Sequence, residues 1–494
     1  MNVLLLSMPD SFEHMPSIVI RMPNGALASL AGNIDSHHRV SVADLILAQR
    51  KVRETVAKLV QETKPDVVGL SVMTFQRMTA LKIISFIRSL IKPIHIVIGG
   101  YDPSLAPEAY ASGEVDFIVR GEGELTFQQL LRAIESRGDY AAIPGLSFWK
   151  AGRFHHNADR SVSKLAENPI RLPNRNARVL KGYTMLGRQV DIVETSRGCT
   201  FDCSFCSIVE MRGQNFHTYS IDRVIADIRD AQAHGARMIF LVDDNITLNV
   251  PRMEALCQAI IDAGLNSIDY TVQAMTSAMA NHGEHLAPLM RKAGFRYVFL
   301  GIENILEKDL EFLKAVSKNM KREDGKKTNA TIRAIEYIHR NKMYVVGGLI
   351  VGNPDDTRDS IEVNLEFARK YVDWPYIQHP TPYPRTAMTK DFHSRDLVLT
   401  QDTDQYDGTT AVVRTEHMSG DEVEFMRWKA ERWMKLRHFP KALRHDPLFI
   451  ARNGHRMLAH TFRGSTLKSL LGMEDERRAF ERYREIHRAE RVYL

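Results

Sequence analysis

Three observations predict an α/β fold in three parts. Before residue 140, five short apolar runs alternate with helical stretches, the pattern of a doubly wound parallel sheet. Between residues 190 and 381 six more runs do the same. That is enough for a partial (β/α)6 barrel, with its site at the carboxyl ends of the strands. From about Ser419 onward the pattern is mostly helical.

In order along the chain, Val3–Leu6 is the first expected strand, followed by Arg39–Asp44, Val67–Ser71, Ile94–Gly100 and Asp116–Glu124. Amphipathic helices are expected over 52–63 and 79–90. Sheets of this kind bind ligands beyond the carboxyl ends of their strands. Ser71, Thr74, Gly99, Gly100 and the Gly121-Glu122-Gly123 turn all lie there. Residues 1–140 form this first domain. Residues 141–185 read as a turn-rich linker, with Pro144-Gly145, Gly152 and Pro173 and a hairpin near Leu146–Phe154. The barrel is expected over 186–390, with strands at 190–195, 238–242, 270–274, 297–301, 344–351 and 376–381. A helical cap is expected over 391–494.

Composition narrows the class. The hydrophobic fraction of 44% suits a globular chain, and no apolar run approaches the ~18–20 residues of a membrane span. Met1–Pro9 lacks the basic start and the length of a signal peptide and reads as a buried strand, so the cytoplasm is expected. The net charge of +6 is carried by the tail: residues 421–494 hold 17 Lys and Arg against 11 Asp and Glu, and the rest balance. Interspersed signs favour solvated helix faces over a nucleic-acid surface. Trp428 and Trp433 on one basic helix also suggest a peripheral membrane contact.

The chain has four cysteines, and three fall in Cys199-Thr200-Phe201-Asp202-Cys203-Ser204-Phe205-Cys206. A disulfide framework wants an even set, and structural zinc wants four ligands. An iron–sulfur cluster on three thiolates fits better, because it leaves one iron open to a small molecule. Cys257 shares an apolar helix face with Met253, Leu256 and Ile260 and reads as core.

The C-x3-C-x2-C loop resembles the cluster loop of the radical S-adenosylmethionine (SAM) superfamily. Phe205 stands where that family has an aromatic residue. Gly348-Leu349-Ile350-Val351-Gly352-Asn353-Pro354 resembles its GxIxGxP motif, which implies that Gly348, Ile350 and Gly352 approach the adenine of SAM. Asp243 or Asp244 is implied to hold the SAM amino group, although an Asp-Asn helix cap explains either residue alone. Glu303 is implied to take the ribose hydroxyls. With one spare thiol, a second three-cysteine cluster is impossible, which argues against the methylthiotransferase branch.

The first domain, with Gly69–Thr74, Gly99–Ser104 and Arg120–Glu124, resembles the Rossmann-like cobalamin-binding domain of B12-dependent radical SAM enzymes. That implies cobalamin contacts from Ser71, Thr74, Gly99, Gly100, Tyr101, Gly121, Glu122 and Gly123. A D-x-H-x-x-G motif is missing, and His37 and His38 are expected at the surface. Asp102 stands where relatives often have histidine. Tyr376, His379 and Tyr383 either face substrate or pack the barrel mouth.

The resemblance implies a [4Fe-4S] cluster, SAM and cobalamin as cofactors. It implies a 5′-deoxyadenosyl radical that takes hydrogen from an unactivated carbon, and methylcobalamin that delivers a methyl group to it. The implied enzyme is a C-methyltransferase of class B. The alternatives are an oxidative cyclase with the same cofactors and a non-catalytic cobalamin sensor. The expected partners are a small-molecule substrate, with a lipid or tetrapyrrole suggested by the tail, and a one-electron reductant such as flavodoxin or ferredoxin.

Overall fold

The structure is a computed structural model that describes residues 1–10, 19–111, 113–150, 152–167, 170–323 and 326–489. The first sheet holds β1 (Asn2–Ser7), β2 (Arg39–Asp44), β3 (Val67–Ser71), β4 (His95–Gly99), β5 (Phe117–Val119), β6 (Leu146–Lys150) and β7 (Arg153–His156). Their spatial order is β2-β1-β3-β4-β5-β6-β7. The first five are parallel, and β6 and β7 join antiparallel. The order reverses between β1 and β3, which opens a ligand crevice at their carboxyl ends.

Period-two alternation builds two cores from the same strands. Leu4, Leu6, Val68, Leu70, Ile96 and Ile98 pack with the helices Val52–Thr63 and Arg77–Leu90. Val3, Leu5, Val67 and Val97 pack with the helices Gly25–Asn33 and Gly123–Ser136. The helix Gly25–Asn33 has no sequence-based forecast, because two glycines and a weak apolar stripe disguise it. The Asn24 side chain caps it by accepting from Leu27 N at 3.2 Å.

Two expectations need correction here. The hairpin near residue 146 belongs to the first sheet, because Leu146 and Phe148 are buried in its core; that sheet therefore runs past residue 140. His38 is buried, and only His37 is exposed.

The second sheet holds β8 (Arg188–Val193), β9 (Met238–Leu241), β10 (Asp269–Met275), β11 (Phe295–Glu303), β12 (Tyr344–Ile350) and β13 (Trp374–Gln378) in consecutive parallel order. This is an open barrel. Its β8 edge is extended antiparallel by Thr184–Met185 and then by Ile20–Arg21, so a piece of the N-terminal segment completes the barrel sheet.

The linker is bolted down. Arg175 is buried and donates to Asp191 at 3.0 Å, Asp227 at 2.6 Å and Asp230 at 2.7 Å. Arg178 reaches Asp191 at 2.7 Å. On the other side, Tyr183 donates to the buried Asp44 of β2 at 2.6 Å.

The C-terminal cap is carried by the helices Gly420–His445, Pro447–Thr461 and Glu476–Ala489. Ser419 and Glu422 form a capping box at its start. The two tryptophans do not form one surface. Trp428 is buried against Phe425, Phe480 and Tyr483, while Trp433 is 44% exposed. Trp428 holds the last helix in place, which removes it from any membrane contact. Among the described residues no helix is long and apolar enough to cross a membrane.

Replacing Arg175 by Met takes the arginine from Asp227 and Asp230 and leaves Asp191 with Arg178 alone. Breaking a buried pair costs about 3–5 kcal/mol. The variant is expected to melt well below the wild type in a thermal scan, and an unchanged midpoint would refute the structural role of this cluster.

Candidate active site

The cluster loop leaves β8 at its carboxyl end. Gly198 has φ +89°, and a Cβ there would lie 2.5 Å from the Asn215 carbonyl oxygen, so only glycine fits. Ser196–Arg197 pairs antiparallel with His217–Thr218. Ser204 N donates to the Leu313 carbonyl at 3.0 Å, and Met388 N donates to the Ser204 carbonyl at 2.9 Å. The backbone between the second and third cysteines is thereby held from two sides.

Cys199, Cys203 and Cys206 line one cavity of about 500 Å³ at the barrel mouth. Burial pushes the Cys203 thiol up to about 11 and the Cys206 thiol up to about 12. Thiols so placed stay protonated unless a metal supplies positive charge. Among the described residues, the three-ligand group tight enough for a single ion lies elsewhere. The three sulfurs are therefore spread wider than one ion draws its ligands, which suits a polynuclear cluster. Cys257, by contrast, is fully buried in the barrel core.

Phe205, Asp243, Asp244, Glu303, Gly348, Ile350, Tyr376 and Tyr383 line the same cavity. Several already have partners. Thr195 N donates to Asp243 at 2.7 Å, and the Thr195 and Ser196 hydroxyls also donate to it. Burial raises the Asp243 carboxyl to about 6 against these hydrogen bonds. Asp243 thus ties down the start of the cluster loop. Asp244 accepts from Gly198 N at 2.8 Å and pairs with Arg212 at 3.3 Å. Glu303 has φ +57° beside an irregularity in the β11–β12 register and accepts from Lys318 Nζ at 3.0 Å. Tyr383 donates to the Tyr406 carbonyl at 3.2 Å, and Tyr376 stacks edge-on against Phe299.

Two expected residues lie outside this cavity. Gly352 N donates to Asp356 in a turn with φ +98°, packed on Val423. His379 is buried against Val351, and burial drives its imidazole down to about 3. It is neutral and walled off from the mouth.

The second cavity, about 320 Å³, opens beyond β3, β4 and β5. Ser71, Gly99, Gly100, Tyr101, Gly121, Glu122 and Gly123 line it, whereas Thr74 faces the barrel cavity instead. A Cβ at Gly100 would lie 2.6 Å from the Val72 carbonyl oxygen. Gly121 (φ +70°) meets nothing within 4 Å, as a backbone edge that flanks a ligand should. Leu5, Leu27, Leu30 and Phe127 give this cavity an apolar floor.

Met73, Tyr101 and Val242 line both cavities. Beside this shared wall sits Arg197, from the cluster loop. It pairs with Glu124 at 2.6 Å and Glu122 at 3.3 Å from the first domain, and with Glu194 at 2.8 Å from the barrel. Burial alone would raise the Glu124 carboxyl, but the Arg197 guanidinium overrides it and holds it down to about 2. Glu122 is thus occupied by Arg197 and by Ser163 N. Arg197, Lys318 and Asn245 carry no forecast. Arg197 stands two residues before the first cysteine, and the acid-rich turn at 120–124 was its signal. Lys318 lies in the short helix Val316–Asn319 and Asn245 just before the turn Ile246–Leu248, where no pattern marks a functional side chain.

Two cavities at the carboxyl ends of two α/β sheets, one ringed by three cysteines, define a protein built around a cluster and a second large cofactor. Residues 193–368 match the radical SAM superfamily, and residues 18–131 match the B12 binding domain. The chain belongs to the radical SAM superfamily and carries a B12-binding domain ahead of its barrel. An uncharacterised methyltransferase of Pyrococcus horikoshii is 28% identical over 451 residues, 90% of this chain and 94% of its own. The hopanoid C-3 methylase of Methylococcus capsulatus is 27% identical over 348 residues, 68% of this chain and 62% of its own. An anaerobic magnesium-protoporphyrin IX monomethyl ester cyclase of Synechocystis is 24% identical over 522 residues, 96% of this chain and 98% of its own. The structure of the cobalamin-dependent SAM radical enzyme OxsB shares the fold, with a TM-score of 0.68 at 16% identity over 99% of this chain and 75% of its own.

Arg197→Met strands Glu122, Glu124 and Glu194 together. It is expected to weaken cobalamin retention on anaerobic gel filtration by about tenfold or more, with Arg197→Lys recovering part of the loss. Retention equal to the wild type in both variants would refute the bridging role.

Proposed function

We propose that this chain is a cobalamin-dependent radical SAM methyltransferase acting on an unactivated carbon of a hydrophobic small molecule. The shared wall of Met73, Tyr101 and Val242 carries this reading. A cysteine-ringed cavity and a B12-type cavity that touch suit a reaction needing both cofactors on one substrate. When bound, the cluster with SAM supplies one-electron chemistry and cobalamin supplies the methyl carrier.

The chain's own part is to hold and to seal. Cys199, Cys203 and Cys206 would ligate the cluster. The Gly348 backbone and Ile350 would flank the adenine of SAM, with Glu303 and Lys318 as polar anchors beside it. Asp244 would face the SAM amino group, while Asp243 orders the loop beneath it. Ser71, Gly99, Gly100, Tyr101, Gly121 and Gly123 would cradle cobalamin. Tyr376 and Tyr383 would contact substrate; His379 would not. Hydrogen abstraction needs no general base, and the one buried imidazole near the mouth, His379, is uncharged.

The cyclase relative keeps a second reading open, oxidative ring formation with the same cofactors. An intact cysteine trio around a roomy cavity speaks against a pure sensor. The reductant would be a one-electron carrier such as flavodoxin or ferredoxin. Anaerobic reconstitution with iron, sulfide and cobalamin, followed by turnover with SAM labelled in its methyl group, separates these readings. Label in the product supports methyl transfer, whereas unlabelled, oxidised product would overturn it. The Cys199→Ala, Cys203→Ala and Cys206→Ala variants are expected to lose iron and SAM cleavage together.

A lipid substrate is supported by the cap. Leu448, Leu467, Leu471 and Met473 are each at least 65% exposed, and six Lys and Arg lie between residues 441 and 468. Such a surface suits peripheral attachment to anionic membranes. The protein is expected to sediment with phosphatidylserine vesicles and to release at high salt, and Leu467→Asp with Leu471→Asp should abolish pelleting. Equal pelleting by the double variant would remove this support.

A further inference from the structure

At the amino ends of the first sheet's strands, away from both cavities, three side chains converge without a role in the reading above. His37 and His38 stand just before β2, with ring centroids 3.9 Å apart. Glu135 sits in the last turn of the helix Gly123–Ser136. A helix dipole disfavours a carboxylate there and favours a cation. Glu135 Oε2 lies 3.0 Å from His37 Nε2 and 4.0 Å from His38 Nε2. Among the described residues this is the group of His, Cys, Asp and Glu whose ligand atoms lie within 4.8 Å of one another.

The second observation is His38 itself. Its side chain is 0% exposed, yet its Nε2 has no hydrogen-bond partner. Leaving such a buried nitrogen unpaired is costly. Its other nitrogen, Nδ1, lies 3.2 Å from the Met1 amine. Asp35 stands nearby but is taken by Arg132, which donates to it at 2.6 and 2.9 Å.

We infer that His37, His38 and Glu135 form a site for a divalent transition-metal ion of the zinc type, with its remaining position open to water. Two imidazoles and a carboxylate are a donor set that zinc takes readily. Ligand bonds of about 2.0–2.2 Å require the donor atoms to stand about 3.3 Å apart, between the 3.0 and 4.0 Å separations found here. His37 and Glu135 are half exposed and can make that adjustment around a fixed His38. The ion would cross-link the start of β2 to the far end of the helix whose first residues, Gly123 and Glu124, line the second cavity. It would act as a structural clamp on the B12-binding domain.

The test uses full-length protein without a polyhistidine tag and with its N-terminus unextended, reconstituted anaerobically with iron and sulfide so that the thiolates are occupied. After addition of zinc and gel filtration, elemental analysis is expected to find one zinc per chain. X-ray absorption at the zinc edge is expected to show nitrogen and oxygen neighbours at about 2.0–2.2 Å. Glu135→Gln and His37→Gln, both at exposed side chains that tolerate change, are expected to weaken zinc binding by roughly tenfold or more while iron content stays unchanged. His38→Gln should do the same if it folds. No retained zinc, sulfur neighbours at the zinc edge, or equal binding by the two exposed variants would each overturn the site.

Discussion

A single buried guanidinium holds the two halves of this molecule at their working distance. Arg197 projects from the cluster loop and is met by Glu122 and Glu124 from the first domain and by Glu194 from the end of β8. A charge so deep in protein is tolerated only when it is paired. The pairing here crosses the domain boundary, so neither domain can complete its own cavity alone. Arg175 does comparable work behind the barrel, where its three aspartates fix the linker to β8 and the following helix. Tyr183 on Asp44 and the strand Ile20–Arg21 on the barrel edge add further ties between the two sheets.

That placement has a topological consequence. Doubly wound sheets and (β/α) barrels both present ligands at the carboxyl ends of their strands. The chain turns those two ends toward each other. Met73 follows β3, Tyr101 follows β4 and Val242 follows β9, and these three residues form the common wall. Adjacency of the two cavities is therefore built from strand ends, the stiffest places available, with no long mobile loop between them.

Much of this was legible from the residues alone. Strand existence followed from apolar runs, and the cysteine spacing located the cluster loop. Two kinds of information were not local. One was whose partner a polar residue would find: Asp243 and Asp244 looked alike in sequence, yet Asp243 is consumed by Thr195 and Ser196, while Asp244 lines the cavity with one face on Gly198. The other was depth. Trp428 and Trp433 stand five apart on one helix, which is more than a full turn, so they point in different directions; one became core and the other stayed at the surface. Depth also separates His379, which takes the packing alternative of its two readings, and Gly352 from the residues that line the cavity.

The shared wall also limits what the site can do. A thioether, an isopropyl group and a phenol whose ionisation burial opposes offer no group that exchanges a proton near neutral pH. Proton traffic through these three side chains is therefore disfavoured. Selectivity must then be exerted elsewhere, at the barrel mouth. There Gln273, Gln378, Tyr376 and Tyr383 add neutral polar edges to a cavity that Asp244, Glu303 and Lys318 also line. Such edges orient a substrate by hydrogen bonds with defined directions. The same division of labour that makes the wall inert makes the mouth the place where substrates are told apart.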